Sequence, residues 1–80
     1  MATKRLKLTF PQELIKEPVI FTMAKKFEVM PNIRRAKVAE GVGEVVLELE
    51  GDEQRIEAGI AYLRERGVRI ESAEGEFGGG

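Results

Sequence analysis

The chain has 80 residues, 42% of them hydrophobic and 34% charged, with 13 Lys plus Arg against 14 Asp plus Glu, the balance of one small soluble domain. With no cysteine and no histidine, it cannot by itself form a disulfide, a thiolate nucleophile, a zinc–thiolate or iron–sulfur site, or do imidazole chemistry. A net charge of −1 gives no general attraction to phosphate backbones or anionic lipid, and the longest apolar stretches fall far short of the ~20 residues that span a bilayer.

Met1 to Lys7 holds no apolar signal-peptide core, so the expected address is the cytoplasm and no membrane insertion is expected. A chain of this size removes only about 60 to 65% of its unfolded surface from water on folding, which leaves little surplus stability and favours oligomerisation.

In chain order, Arg5 to Phe10 alternates polar and apolar residues, the period-2 pattern of a strand with one buried face. Pro11 breaks it, and Gln12 to Glu17 reads as a loop or an irregular first turn. Pro18 suits the first position of a helix, where its missing N–H has no partner to lose. Val19, Ile20, Met23, Ala24 and Phe27 then recur at helical spacing and form one apolar stripe. Pro31 punctuates again. Asn32 to Glu40 reads as a strand whose imperfect alternation, with Ile33 out of parity with Ala36 and Val38, is reconciled by a bulge.

Gly41-Val42-Gly43 is read as a turn. Glu44 to Glu50 is the clearest strand, with Val45, Leu47 and Leu49 facing one way. Asp52 is a good N-cap for a helix with the stripe Ile56, Ile60 and Leu63, ending at Gly67 in the C′ position. Val68 to Ser72 closes the domain as a last strand. The map is therefore a short extension over 1–4, a domain over 5–72 and a flexible Gly/Glu-rich tail over 73–80.

The order βαββαβ is the ferredoxin-like pattern, an α+β fold with a four-stranded antiparallel sheet and two helices on one face. Leu6, Leu8, Phe10, Val45, Leu47, Leu49, Val68 and Ile70 should face the helices. Lys7, Thr9, Val46, Glu48, Arg69 and Glu71 should lie on the open face.

Leu8-Thr9-Phe10-Pro11, Glu17-Pro18-Val19-Ile20, Asn32-Ile33, Leu47-Glu48-Leu49-Glu50-Gly51, Ala61-Tyr62-Leu63 and Gly67-Val68 resemble, in register from about Arg5 to Glu71, the NIL domain family. The resemblance implies an ACT-like ferredoxin fold and a regulatory role. NIL domains are known best as the C-terminal domain of the ATPase of methionine ABC importers, where they bind methionine and inhibit transport; others are joined to ferredoxin modules. The family's signature is Asn-Ile-Leu, whereas this chain has Asn32-Ile33-Arg34, which puts a charged group in place of an apolar one. Neither a Walker A glycine loop nor a Cys run is present, so the expectation is a NIL-like domain that works by binding, without an ATPase or a cluster of its own.

If the family site transfers, Asn32 serves an amino acid's carboxylate and amino group, Ile33 faces its side chain, and Met30 and Arg34 border the site. An Asn after Pro and before a strand is equally a turn residue that satisfies its own backbone. Met23 lies on the helical stripe and reads as core, while Met30 is less committed and remains a pocket-rim candidate. The Pro11–Glu17 segment occupies a place where ACT-like domains approach ligands, although two prolines already explain it as a connector.

Catalysis is not expected. Ser72 is the sole serine and has no His or Cys to activate it. Asp52 and Glu53 are explained by helix capping and Glu48 and Glu50 by a solvated strand face, so no metal site or cofactor is predicted. Nucleic-acid binding is not expected either, because the strand that carries stacking aromatics in RNA-recognition modules of this fold is here the acidic Glu44 to Glu50. Lys25-Lys26 and Arg34-Arg35 read as solvated faces. Two functions remain. One is a domain that binds methionine or a related sulfur amino acid at or near a homodimer interface made by edge strands or helices. The alternative is a protein-interaction module that docks an edge strand on a sulfur-metabolism enzyme or transporter, with no small ligand.

Overall fold

The computed structural model describes residues 1–74. The elements run β1 (Ala2–Phe10), α1 (Gln12–Ile15), α2 (Val19–Phe27), β2 (Met30–Ala39), β3 (Val42–Gly51), α3 (Glu53–Glu65) and β4 (Arg69–Ser72). All pairings are antiparallel and the strand order is β2-β3-β1-β4. This is the expected ferredoxin-like sheet, with the one-turn helix α1 added where the sequence left loop or irregular turn.

Strand ends differ from the sequence reading because pairing, not side-chain alternation, sets them. Ala2 to Lys4, expected as an extension, pair with Gly51 to Leu49 and lengthen β1. At the other end the ladder continues past β4, for the Ala73 N–H donates to the Arg5 carbonyl at 2.9 Å and Ala73 is buried. Ala73 is thus part of the packed domain, and the rest of the expected tail beyond Glu74 lies outside the described residues. The β2–β3 connection is not Gly41-Val42-Gly43 but the two residues Glu40 and Gly41, both at positive φ (51° and 76°) between the paired Ala39 and Val42. That is the geometry of a type I′ hairpin, whose twist matches the strands.

Helix ends follow local chemistry. The Gln54 and Arg55 N–H groups donate to the Asp52 carboxylate at 2.9 and 3.4 Å, which caps α3 as its sequence predicts. Gly67 (φ 102°) ends it, with the Gly67 N–H on the Arg64 carbonyl and the Val68 N–H on that of Leu63, a Schellman closure. Helix α2 closes in the same way with Glu28 at φ 57° and the Val29 N–H on the Ala24 carbonyl. Its Pro18 N-cap offers no side-chain acceptor.

The core lies between the helices and one sheet face. Leu8, Leu47 and Leu49 from the sheet meet Met23, Ile56 and Leu63 from the helices, all without exposed surface, each burial stabilising by about 1.5–3 kcal/mol. Leu14 and Val29, which the periodicity did not mark, are buried with them. Val46 is the exception to the predicted faces. It sits on the open face opposite Lys7 and Arg35, yet is only 4% exposed, as an apolar residue between two long aliphatic stems should be. No polar or charged side chain is buried among the described residues.

Gly59 sets the approach of α3 to α2. A Cβ there would stand 2.8 Å from Met23 Sδ and 3.3 Å from Met23 Cγ. Gly59→Ala should therefore destabilise by about 1 kcal/mol, although alanine gains about 1 kcal/mol of helix propensity, because the fully buried Met23 cannot yield freely. Denaturant unfolding of Gly59→Ala, Met23→Ala and the double variant should give a coupling of at least about 1 kcal/mol; additive losses would mean that the close approach carries no strain. At the hairpin, Glu40→Asn should raise stability by about 0.5–1 kcal/mol, since asparagine tolerates the left-handed region better than glutamate.

Candidate functional site

Strand β2 lies at the edge of the sheet and pairs only with β3. A register shift between Ile33 and Arg35 makes the bulge predicted from the parity conflict, with Arg34 as the extra residue of the bulge. Met30, Asn32, Arg35 and Lys37 stand opposite Glu50, Glu48, Val46 and Glu44 on the open face. Pro31, Ile33, Ala36 and Val38 stand opposite Leu49, Leu47, Val45 and Gly43 on the helix face.

The four site residues proposed from sequence are consecutive on this edge but do not converge. Met30 and Asn32 share the open face, Ile33 faces the helix side, and Arg34 projects from the bulge. All four are exposed, and none lines a cavity among those described.

The helix side holds what the sequence reading missed. A cleft of about 190 Å³ opens where α1 and the first turn of α2 meet the hairpin end of β2 and β3, walled by Ile15, Val19, Ile20 and Phe21 against Ala36, Val38 and Val45. Phe21 and Val38 are each 66% exposed, and Ile33 is 53% exposed, so the cleft continues into an uncovered apolar strip along the edge. A signal existed. Phe21 falls off the α2 stripe, and Val38 is an apolar residue on a strand with no second neighbour.

Three charged residues, Glu17, Lys37 and Glu44, also line the cleft. Glu17, beside the cleft, pairs with Arg66 of the α3 C-cap. On the open face Arg5 pairs with Glu48 at 2.8 Å and Lys7 approaches Glu44 at 3.7 Å. Lys4 pairs with Glu57 of α3 at 2.8 Å, and hydrogen bonding to that carboxylate, with its charge, raises the Lys4 pKa above 10.5. A raised lysine pKa stabilises the fold below the unfolded value, and that contribution disappears as pH climbs through the folded one. Among the described residues no group of three or more acidic side chains could hold a metal ion. Among the same residues no helix is long and apolar enough to cross a membrane.

This sheet, with its two long helices on one face and one strand edge uncovered, defines a small ferredoxin-like domain. The NIL domain profile matches residues 4–72, and the chain belongs to that family. A methionine import ATP-binding protein (MetN 1) of Listeria innocua is 32% identical over 75 residues, which cover 89% of this chain and 22% of that protein. The MetN protein of Bacillus subtilis is 28% identical over 72 residues, 85% of this chain and 21% of that one. The chain thus spans about a fifth of the length of these curated relatives. The crystal structure of the C-terminal domain of an ABC transporter ATP-binding protein from Enterococcus faecalis superposes with a TM-score of 0.77 at 29% identity, covering 89% of this chain and 83% of that one. A de novo designed protein, Foldit4, has the same fold at a TM-score of 0.55 and 16% identity.

Because Asn32 is exposed and no hydrogen bond of its side chain is recorded among the described residues, Asn32→Ala should change stability by no more than about 0.5 kcal/mol. Thermal unfolding of the two proteins checks this and validates the substitution as a probe of binding.

Proposed function

We propose that this chain is a regulatory domain that works by binding rather than catalysis, that it recognises methionine or a related sulfur amino acid, and that it acts in the cytoplasm as a homodimer. The observation that carries the reading is the family match over nearly all the described residues, with relatives named as methionine import ATP-binding proteins. Its site is the start of β2. Asn32 offers an amide that can both donate to a carboxylate and accept from an ammonium, and Met30 and Ile33 offer exposed apolar contacts. These groups lie on both faces of one edge, so a second copy laid against it would close a pocket that a single copy leaves open. Arg34, charged where the family signature has an apolar residue, supplies a cation at the rim.

A chemical-shift titration with methionine, followed by homocysteine, cysteine and leucine, tests the reading beside sedimentation of the free and liganded protein. Saturable shifts at Met30 to Arg34, weakened at least about tenfold in Asn32→Ala, are the expected result. Absence of any response at millimolar ligand would end this reading.

A second reading is favoured by one specific observation, the apolar strip of Phe21, Ile33 and Val38 beside a strand ladder with no outer partner. In it the domain docks through β2 on a transporter or a sulfur-metabolism enzyme and retains no small ligand.

A further inference from the structure

The sheet has a second edge at its other end. Strand β4 pairs with β1, and among the described residues no strand lies outside it. One contact sorts its backbone groups into inward and outward sets. The Ala73 N–H donates to the Arg5 carbonyl, and the register continues with Glu71 opposite Lys7 and Arg69 opposite Thr9. Alternate residues of an antiparallel strand bond to the same neighbour, so Arg69, Glu71 and Ala73 turn their backbone groups to β1 while Ile70 and Ser72 turn theirs outward. Those outward groups are a template for one more strand.

The side chains set which strand fits. Arg69 and Glu71 stand on the open face, both exposed and neither with an ion-pair partner among the described residues. Lys7, opposite Glu71, approaches Glu44 instead at 3.7 Å. Ile70, between the two charges, lies half-buried against the core on the helix face. Charge blunts a strand edge when like signs would meet. Here the signs alternate. A second copy of β4 laid antiparallel about Ile70 sets Arg69 of each copy opposite Glu71 of the other, in the closely spaced position without hydrogen bonds, while the two Ile70 residues exchange backbone bonds across the two-fold axis. Centring the pair on Arg69 or Glu71 sets a charge against itself, and centring it on Ser72 gives Glu71 only Ala73. The charges therefore choose one register.

We propose that β4 is a self-association edge, taken by β4 of a second copy in the antiparallel register centred on Ile70 and held by reciprocal Arg69–Glu71 pairs. This goes beyond the homodimer proposed at β2. The two edges stand at opposite ends of the order β2-β3-β1-β4, so a contact at β4 leaves β2 free, and copies joined at β2 can associate further. A strand of 4 residues makes the β4 contact a small one that forms at high protein concentration.

The test records backbone amide shifts and sedimentation of the whole chain over a range of concentrations up to millimolar. The expected result is concentration-dependent shifts at Ile70 and Ser72, separable from any at Ile33 to Ala39, and weakened by salt. Arg69→Glu and Glu71→Arg are exposed substitutions, and thermal unfolding checks that each variant folds. Either one alone should weaken association at β4 at least about tenfold, because like charges then meet across the axis. An equimolar mixture of the two variants should restore it, since each supplies what the other lacks, and so should the double variant with both charges exchanged. A mixture that associates no better than its components would overturn the proposed register. Absence of any concentration-dependent shift on β4 would overturn the proposal whatever happens at β2, and shifts confined to β2 would do the same while leaving the homodimer reading intact.

Discussion

The structure depends on β3 being held from three sides. Its apolar residues Leu47 and Leu49 are fully buried under the helices, β1 hydrogen-bonds along one edge from Ala2 to Phe10, and β2 along the other. A strand so confined has one tolerated register, because a slip by one residue would turn Leu47 and Leu49 to the open face and drive Glu48 into the core. The acidic residues are then forced into a single row, and the cations of the flanking strands align beside it. Core packing thus fixes the electrostatic pattern of the opposite face, although no charge enters the core.

Strand β2 inherits this order without contributing much to it. It gains pairing from β3 and partial cover from α2, but nearly every one of its side chains stays exposed. Long exposed edges are usually blunted by charge, proline or a bulge, and β2 has all three in Arg35 and Lys37, Pro31, and the irregularity at Arg34. These devices guard against indiscriminate pairing while leaving an apolar strip from Ile33 to Val38. Such a combination suits a surface that chooses its partner rather than one that merely avoids partners.

Much of the fold was legible in the sequence because its signals are local. The period-2 pattern of Leu6, Leu8 and Phe10, the Asp52 cap, the Gly67 terminus and the bulge near Ile33 all appear where single-residue chemistry places them. The misreadings involve residues whose placement depends on distant partners. Ala2 and Ala73 join the ladder because β3 and β1 reach them, Glu40 takes a left-handed conformation because Ala39 and Val42 pair across it, and Val46 is covered from neighbouring strands. For the candidate site, Asn32 and Ile33 were marked by resemblance, Met30 by its place before Pro31 and Arg34 as the departure from the family signature, and the four are neighbours on the edge without converging. The cleft behind them could not be read, since it exists only where Ile15 and Phe21 meet Ala36 and Val38, residues on elements that no sequence period connects.

The wholly apolar interior has a consequence for signalling. Many sensors change state when an internal histidine or carboxyl group takes up a proton, but this chain has no histidine and, among its described residues, no buried ionisable group. Nothing in the core can convert a change of charge into a change of shape. Any change of state within the core would therefore have to be one of packing, as where Met23 of α2 rests against the bare backbone of Gly59 of α3. The core itself should therefore be indifferent to the acidity of its surroundings, and what pH dependence the domain has must come from surface pairs such as Lys4 with Glu57.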